Sequence, residues 1–331
     1  MTDTVVVIGS NSFSGADFVD LLLQETTCRV VGISRSPEKS RLFLRYLDRP
    51  DLSRFQFEQL DLNRDMTFLR QRLEALRPAY VVNFASQSEV APSWEHPEHW
   101  FQTNAVSTAA LANFLKDREW LRRYVHISTP EVYGHCTGVL TEAAPFNPST
   151  PYAAARAAAE LLLRTFITHY GFPAVFVRSA NVYGARQQLH KIIPRSAIYL
   201  KLGRTIELHG GGYARRSFIH IRDVSRGELA IMQRGQVGQA YHLATDVLID
   251  IRDLVRRVCA LAGADFDQAT RDVGDRRGQD SAYRLDCTKA QTTLGWQAQV
   301  PLEAGLAEVI EWVDRNWDLI RSAPLTYVHK A

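Results

Sequence analysis

Cysteine is scarce in this chain. Its four thiols, Cys28, Cys136, Cys259 and Cys287, form no C-x-x-C pair, and their spacing suits neither a zinc site nor a disulfide framework. Reduced thiols in a cytoplasmic protein are the expected state. No apolar run is long enough to span a bilayer. The chain enters a strand almost at once, with no basic and apolar leader before it, so neither secretion nor membrane association is expected. An excess of charge of one sign is missing too: 39 Lys and Arg against 36 Asp and Glu leave a net charge of +3. Without a long basic run, nucleic acid is not the expected partner. A local group of arginines facing a phosphorylated small molecule remains compatible with this balance. The ten histidines show no metal-ligand spacing that points to a metal. Repeats, low-complexity tracts and linkers are absent as well.

What is present is a rhythm. Short apolar, β-branched runs at Thr4–Ile8, Arg29–Ile33, Phe55–Leu60, Tyr80–Phe84, Arg123–Ile127 and Ala174–Arg178 read as strands buried on both faces. Helical patterns separate them, notably one through about Glu25, then Met66–Leu76, His99–Asp117 and Pro151–Tyr170. The last has Pro at its start and Gly171 at its end, the usual helix punctuation. Strands alternating with helices predict an α/β fold: a Rossmann-like, doubly wound parallel sheet. Beyond residue 180 the rhythm loosens into a smaller α/β lobe with helices near Ile251–Ala262 and Leu302–Trp317. The expected division is a dinucleotide-binding domain over 1–180, to which some later segments return, and a substrate lobe over 181–331. A cleft is expected between them.

Gly9-Ser10-Asn11-Ser12-Phe13-Ser14-Gly15 follows the first strand and opens a helix. Glycines in such a turn let a pyrophosphate approach the backbone at a helix N-terminus. Gly9 and Gly15 hold the outer positions, and Ser12 holds the middle one. At the end of the second strand, an acidic residue would hold a ribose 2′-hydroxyl. Ser34-Arg35-Ser36 stands there instead, and Arg35 favours a 2′-phosphate, hence NADP over NAD. Asp61 and Leu62 follow the third strand and are candidates for the adenine, although an Asp there equally caps a turn.

Six segments together resemble the extended short-chain dehydrogenase/reductase family, in its branch of sugar-nucleotide epimerases and dehydratases. They are the glycine turn, Asn83–Ser88, Ser128–Gly134, Tyr152–Arg156, Arg178–Gly184 and Arg216–Val224. Within that branch, Thr129 and Glu131 of the STPEVYG segment resemble the 4,6-dehydratases, because epimerases usually lack the Glu. Asp275–Asp280 is similar to a segment of dTDP-glucose 4,6-dehydratases. NFASQSEV and Arg35 are similar to GDP-mannose 4,6-dehydratases instead, which leaves the base of the nucleotide open.

The resemblance implies a division of labour. Tyr152, as phenolate, takes the proton from the sugar O4 while C4 gives up a hydride. Thr129 assists that proton, and Glu131 removes the C5 proton that the new ketone acidifies. Arg156 stands where the family has Lys, keeping the charge but changing its shape. Pro130 stands where the dTDP-glucose branch has an acid, so either Glu131 serves both steps or Cys136 or water assists. Phe84, Ala85 and Ser86 are expected at the cofactor. Gln87, Ser88, Asn181, Lys191, Arg216 and Arg276 are expected at the nucleotide sugar. Apart from the dehydratase, two further readings stand: a 4-epimerase or ketoreductase of the same fold, favoured by Pro130, and a dinucleotide-binding protein without turnover, suggested by Ser12 and Arg156. A homodimer, paired through the His99–Asp117 and Pro151–Tyr170 helices, is the expected assembly.

Overall fold

A computed structural model describes residues 2–136, 138–274 and 284–330. Its centre is a sheet of seven parallel strands: β1 (Thr4–Ile8), β2 (Arg29–Ser34), β3 (Phe55–Gln59), β4 (Tyr80–Asn83), β5 (Arg123–Ile127), β6 (Ala174–Ser179) and β7 (Ala240–Leu243). Their order is β7-β6-β5-β4-β1-β2-β3. The first six match the predicted runs to within one residue. The seventh was not predicted.

Alternation along each strand feeds two cores. Val5 and Val7 of β1 point into one with Phe18, Val19 and Leu22 of helix α1 (Phe13–Glu25). Val6 and Ile8 point into the other, with Leu69 and Leu73 of α2 (Met66–Leu76), Leu111 and Leu115 of α4 (Ser107–Leu115), and Leu163 of α5 (Pro151–Tyr170). A helix not foreseen from the sequence, α6 (Ile221–Arg234), lies on the α1 side through Val224, Leu229 and Ile231.

The expected single helix over His99–Asp117 is instead two. Helix α3 (Pro97–Phe101) is separated from α4 by a π turn over Gln102–Val106. The wider turn has a cause in its polar partners. Buried Asn104 accepts from the Gln87 amide at 2.9 Å and donates to its carbonyl at 3.0 Å. Thr103 and Ser107 both bond Asn63, at 2.9 and 2.8 Å. Such π turns often occur at functional sites, and this one holds the loop after β4.

The smaller lobe carries strands Asn181–Tyr183, Arg215–His220 and Leu248–Asp250 in one sheet. Helices Ile192–Lys201, Ile251–Leu261 and Leu302–Arg315 pack there around Tyr183, Ile193, Leu254, Leu306 and Trp312. No helix among the described residues is long and apolar enough to cross a membrane.

Candidate active site

Strand order reverses between β1 and β4, and in open α/β sheets ligands bind beyond the strand ends at such a switch point. Two connected depressions lie there. One is a groove of about 500 Å³ lined by the glycine turn, the ends of β2 and β3, and the loop after β4. The other is a cleft of about 340 Å³ between the sheet and the smaller lobe. Ser12, Phe84, Ser86, Ser88 and Gln188 line both.

The groove fits a dinucleotide. Gly9 has φ +87°, and a Cβ there would lie 2.7 Å from the Ala85 nitrogen. A Cβ on Gly15 would lie 2.3 Å from the Gly9 oxygen. Only glycine permits these approaches. Ser12, in the middle position, caps α1 by accepting from the Gly15 amide at 3.0 Å. Its replacement of glycine therefore secures the helix N-terminus that would face a pyrophosphate. Asn11 donates to the carbonyls of Ser36 and Pro37 at 3.0 and 2.8 Å, and its own amide bonds the Ser34 hydroxyl at 2.9 Å. Those bonds hold the β2 end, with Arg35, along the groove. Asp61 accepts from the Asn63 amide at 2.8 Å, making an Asx turn, and still lines the groove beside Leu62.

The cleft collects the chemistry. Tyr152, Arg156, Thr129, Glu131, Ser14, Phe13, Asn181 and Lys191 all line it. Local sequence explains the first two. Thr150 caps α5 by accepting from Ala153 at 3.1 Å, and Pro151 occupies the first turn. Tyr152 and Arg156, four apart, then share one helix face. Thr129 caps the short 3₁₀ turn Pro130–Tyr133, accepting from the Glu131 amide at 3.2 Å. Its side chain lines the cleft with the Tyr152 phenol and favours the charged form of that phenol. Burial pushes that phenol up to about 12, with Arg156 pulling it down and the Glu131 and Glu89 carboxylates pushing it up.

Beneath the cleft lies a buried polar network. Glu160, one turn beyond Arg156 on the same face of α5, accepts from the Ser128 hydroxyl and from Arg178 at 3.0 and 2.5 Å. Arg178 also donates to the Tyr133 hydroxyl, which meets His242 Nε2 at 2.6 Å. Burial drives His242 down to about 3, with Arg178 adding to the effect. His126 lies well below its ordinary value through burial, then Arg156 and Arg178. Both imidazoles are therefore neutral, and Glu160 is the carboxylate that meets the buried cationic charge of Arg178 directly.

Several expectations fall elsewhere. Gln87 lines the groove rather than the cleft, and it donates to the Lys330 carbonyl at 2.6 Å. Its carboxamide is turned there because its backbone is pinned by Asn104. Arg216 lies on the strand Arg215–His220, outside the residues lining the cleft, and donates to the Arg215 carbonyl at 2.8 Å. Cys136 also lies outside that lining, its thiol turned to the Tyr133 carbonyl at 3.1 Å. Arg276 and the whole of Asp275–Asp280 lie outside the described residues. Lys191 pairs with Glu89 at 2.6 Å, and His190 meets the same carboxylate at 3.2 Å. Despite its burial, the His190 hydrogen bond and Lys191 hold Glu89 down to about 2. The sequence reading missed Glu89, His190, Gln188 and Lys39 at this site. Lys39 had a usable signal, a second cation four residues after Arg35 in the same loop.

The chain has relatives among known proteins. The chain is 34% identical over 246 residues to a dTDP-glucose 4,6-dehydratase of Streptomyces niveus, covering 73% of each chain. It is 28% identical to the dTDP-glucose 4,6-dehydratase of Haemophilus influenzae, covering 93% of this chain and 97% of that one. The crystal structure of DesIV, a dTDP-glucose 4,6-dehydratase from Streptomyces venezuelae with NAD and TYD bound, superposes with a TM-score of 0.88 at 31% identity, covering 96% and 98% of the two chains. Residues 6–309 match the family model described as GDP-mannose 4,6 dehydratase. The chain therefore belongs to the GDP-mannose 4,6-dehydratase family, within the extended short-chain dehydrogenase/reductases.

Proposed function

We propose that this protein is a sugar-nucleotide 4,6-dehydratase. The observation that carries the reading is that Thr129, Glu131 and Tyr152 line one cleft continuous with the dinucleotide groove. A bound nicotinamide would supply a reversible hydride acceptor. Tyr152 takes the O4 proton as C4 is oxidised, with Thr129 lining the same cleft to assist. Glu131 removes the C5 proton and returns it to the departing C6 hydroxyl, which leaves as water, since Pro130 offers no proton. The hydride from C4 ends on C6, and C5 regains a proton equivalent to the one taken from O4. The product is a 4-keto-6-deoxy sugar, and its only loss is one water. The substrate's diphosphate end would then meet Asn181 and Lys191, with Lys191 exchanging Glu89 for phosphate.

Glu131→Gln tests the assignment. Incubated with dTDP-, GDP-, UDP- and CDP-hexoses, the parent should convert at least one to a product lighter by one water. The variant should form that product about 10²–10⁴-fold more slowly while still bleeding hydride from C4, seen as reduced nicotinamide. An equal-mass product from the parent would instead establish the 4-epimerase that Pro130 favours, and a product heavier by two hydrogens from a keto sugar the ketoreductase.

Arg35 and Lys39 line the groove at the β2 end, and that strand ends in Ser34-Arg35-Ser36 rather than in an acidic residue suited to a ribose 2′-hydroxyl. We propose that NADP is accepted at least as well as NAD. Arg35→Ala should weaken NADP by about tenfold, the worth of one charge-assisted contact, and leave NAD nearly unchanged in a binding titration. Equal weakening of both would assign Arg35 to general electrostatics. A homodimer accords with the exposed Phe101, Val106 and Leu161 on the helices around α3, α4 and α5.

A further inference from the structure

The segment Thr326–Lys330 lies along the dinucleotide groove, far from the rest of the site in sequence. Thr326, Tyr327, Val328 and Lys330 line that groove. The Lys330 carbonyl accepts from Arg35 at 3.2 Å and Gln87 at 2.6 Å. Between them, His329 turns the other way and enters a cluster at the start of α3. Its ring lies 5.5 Å from that of His96, 5.2 Å from His99 and 5.1 Å from Trp100, centroid to centroid, all nearly parallel. The glycine turn, the sugar chemistry and the sheet make no use of this cluster.

Its donor atoms lie close enough together to be gathered around one ion. His96, Glu98 and His99 each offer one ligand atom, and these atoms lie within 4.8 Å of one another. A Glu98 oxygen lies 3.8 Å from His96 Nδ1 and 3.6 Å from His99 Nε2. In a tetrahedral shell with bonds of about 2.0–2.1 Å, ligand atoms stand roughly 3.3 Å apart, so the stacked His96 and His99 rings, 5.1 Å apart at their centroids, would turn their nitrogens toward one point to close the shell. The other ring nitrogen of His99, Nδ1, lies 2.9 Å from His329 Nε2. Metal-ligating histidines almost always give their second N–H to a partner that fixes the tautomer. His329 is such a partner, and it carries the groove segment with it.

We propose that His96, Glu98 and His99 bind a borderline divalent cation such as Zn²⁺, leaving one coordination position open, and that the ion tightens the segment over the groove through His99 and His329. An ion on His99 Nε2 fixes the proton on Nδ1, so that Nδ1–H donates to His329 and holds the segment in place. The ion therefore slows dinucleotide exchange without touching the sugar cleft. This coupling rests on the dinucleotide reading of the groove; the ion site itself does not.

The experiment uses untagged full-length protein. Calorimetric titration with ZnCl₂ should show one ion per chain, with His96→Ala or His99→Ala weakening it about tenfold or more. His329→Ala should keep the stoichiometry. Stopped-flow release of reduced dinucleotide should be about fivefold or more slower with Zn²⁺ than with EDTA in the parent, and the same under both conditions in His329→Ala. No stoichiometric binding, or binding indifferent to His96 and His99, overturns the site. Slowing that persists in His329→Ala overturns the coupling. Neither readout needs sugar turnover, so failure here is separate from failure of the dehydratase assignment; a chain that binds Zn²⁺ but no dinucleotide would sink the latter and the coupling, and keep the ion site.

Discussion

Tyr152→Phe is expected to abolish hydride transfer from C4, lowering turnover by about 10²–10⁴-fold, with sugar-nucleotide binding nearly unchanged. The phenol lines the cleft as the group assigned to the sugar hydroxyl's proton, and Thr129 lines the same cleft. Burial holds its pKa at about 12 in the structure, and Arg156 is the foremost influence acting downward. Below that value the reactive phenolate is the minor form, so its fraction rises with pH. The parent's kcat/KM should therefore climb through the neutral and mildly alkaline range. Arg156→Met removes the opposing charge and should move this limb to higher pH, whereas Arg156→Lys should keep it close to the parent's position. Steady-state pH profiles of the variants decide the matter. A Tyr152→Phe enzyme of unchanged rate, or an Arg156→Met profile that does not move, would take the proton transfer away from this pair.

The second large effect is on stability. Glu160→Ala is expected to cost about 3–5 kcal/mol, the usual consequence of leaving a buried charge without its partner. Arg178 and Glu160 both have fully buried side chains, and the neutral His126 and His242 cannot compensate. Urea unfolding measures the loss. Glu160→Ala with Arg178→Met should recover much of it, because removing both charges also removes the uncompensated one. A single-variant loss below about 1 kcal/mol, or strict additivity in the pair, would mean that water reaches this network. Activity should fall as well, since Ser128, beside Thr129, also bonds Glu160.

Much of this was legible in the sequence. Parallel strands buried on both faces leave runs such as Val5-Val6-Val7, and the motifs around Gly9, Thr129 and Tyr152 carried the family resemblance. Strand β7 escaped because Ala240-Tyr241-His242-Leu243 is short and carries a histidine, whose place inside the sheet depends on Tyr133 and Asp286 from distant segments. The buried Glu160 was hidden for a similar reason: its partners come from β6 and from just after β5, and a helix pattern cannot say that a carboxylate has company. Gln87 was assigned to the sugar from its position after β4, but Asn104 and Lys330 fix it to the groove. The groove segment 326–330 left no local signal at all, because its role comes from where the last helices deliver it.

The π turn over Gln102–Val106 carries an implication for insertions and deletions. One residue of an α-helix turns the chain by about 100°, so the extra residue sets the azimuth of everything after it. Removing a single residue between 102 and 106 would regularise the helix and swing Leu111 and Leu115 away from the sheet while withdrawing Asn104 from the loop after β4. Aligned relatives lacking that residue must therefore present α4 differently or rebuild the cofactor loop, and a gap placed there is a change of architecture rather than of length.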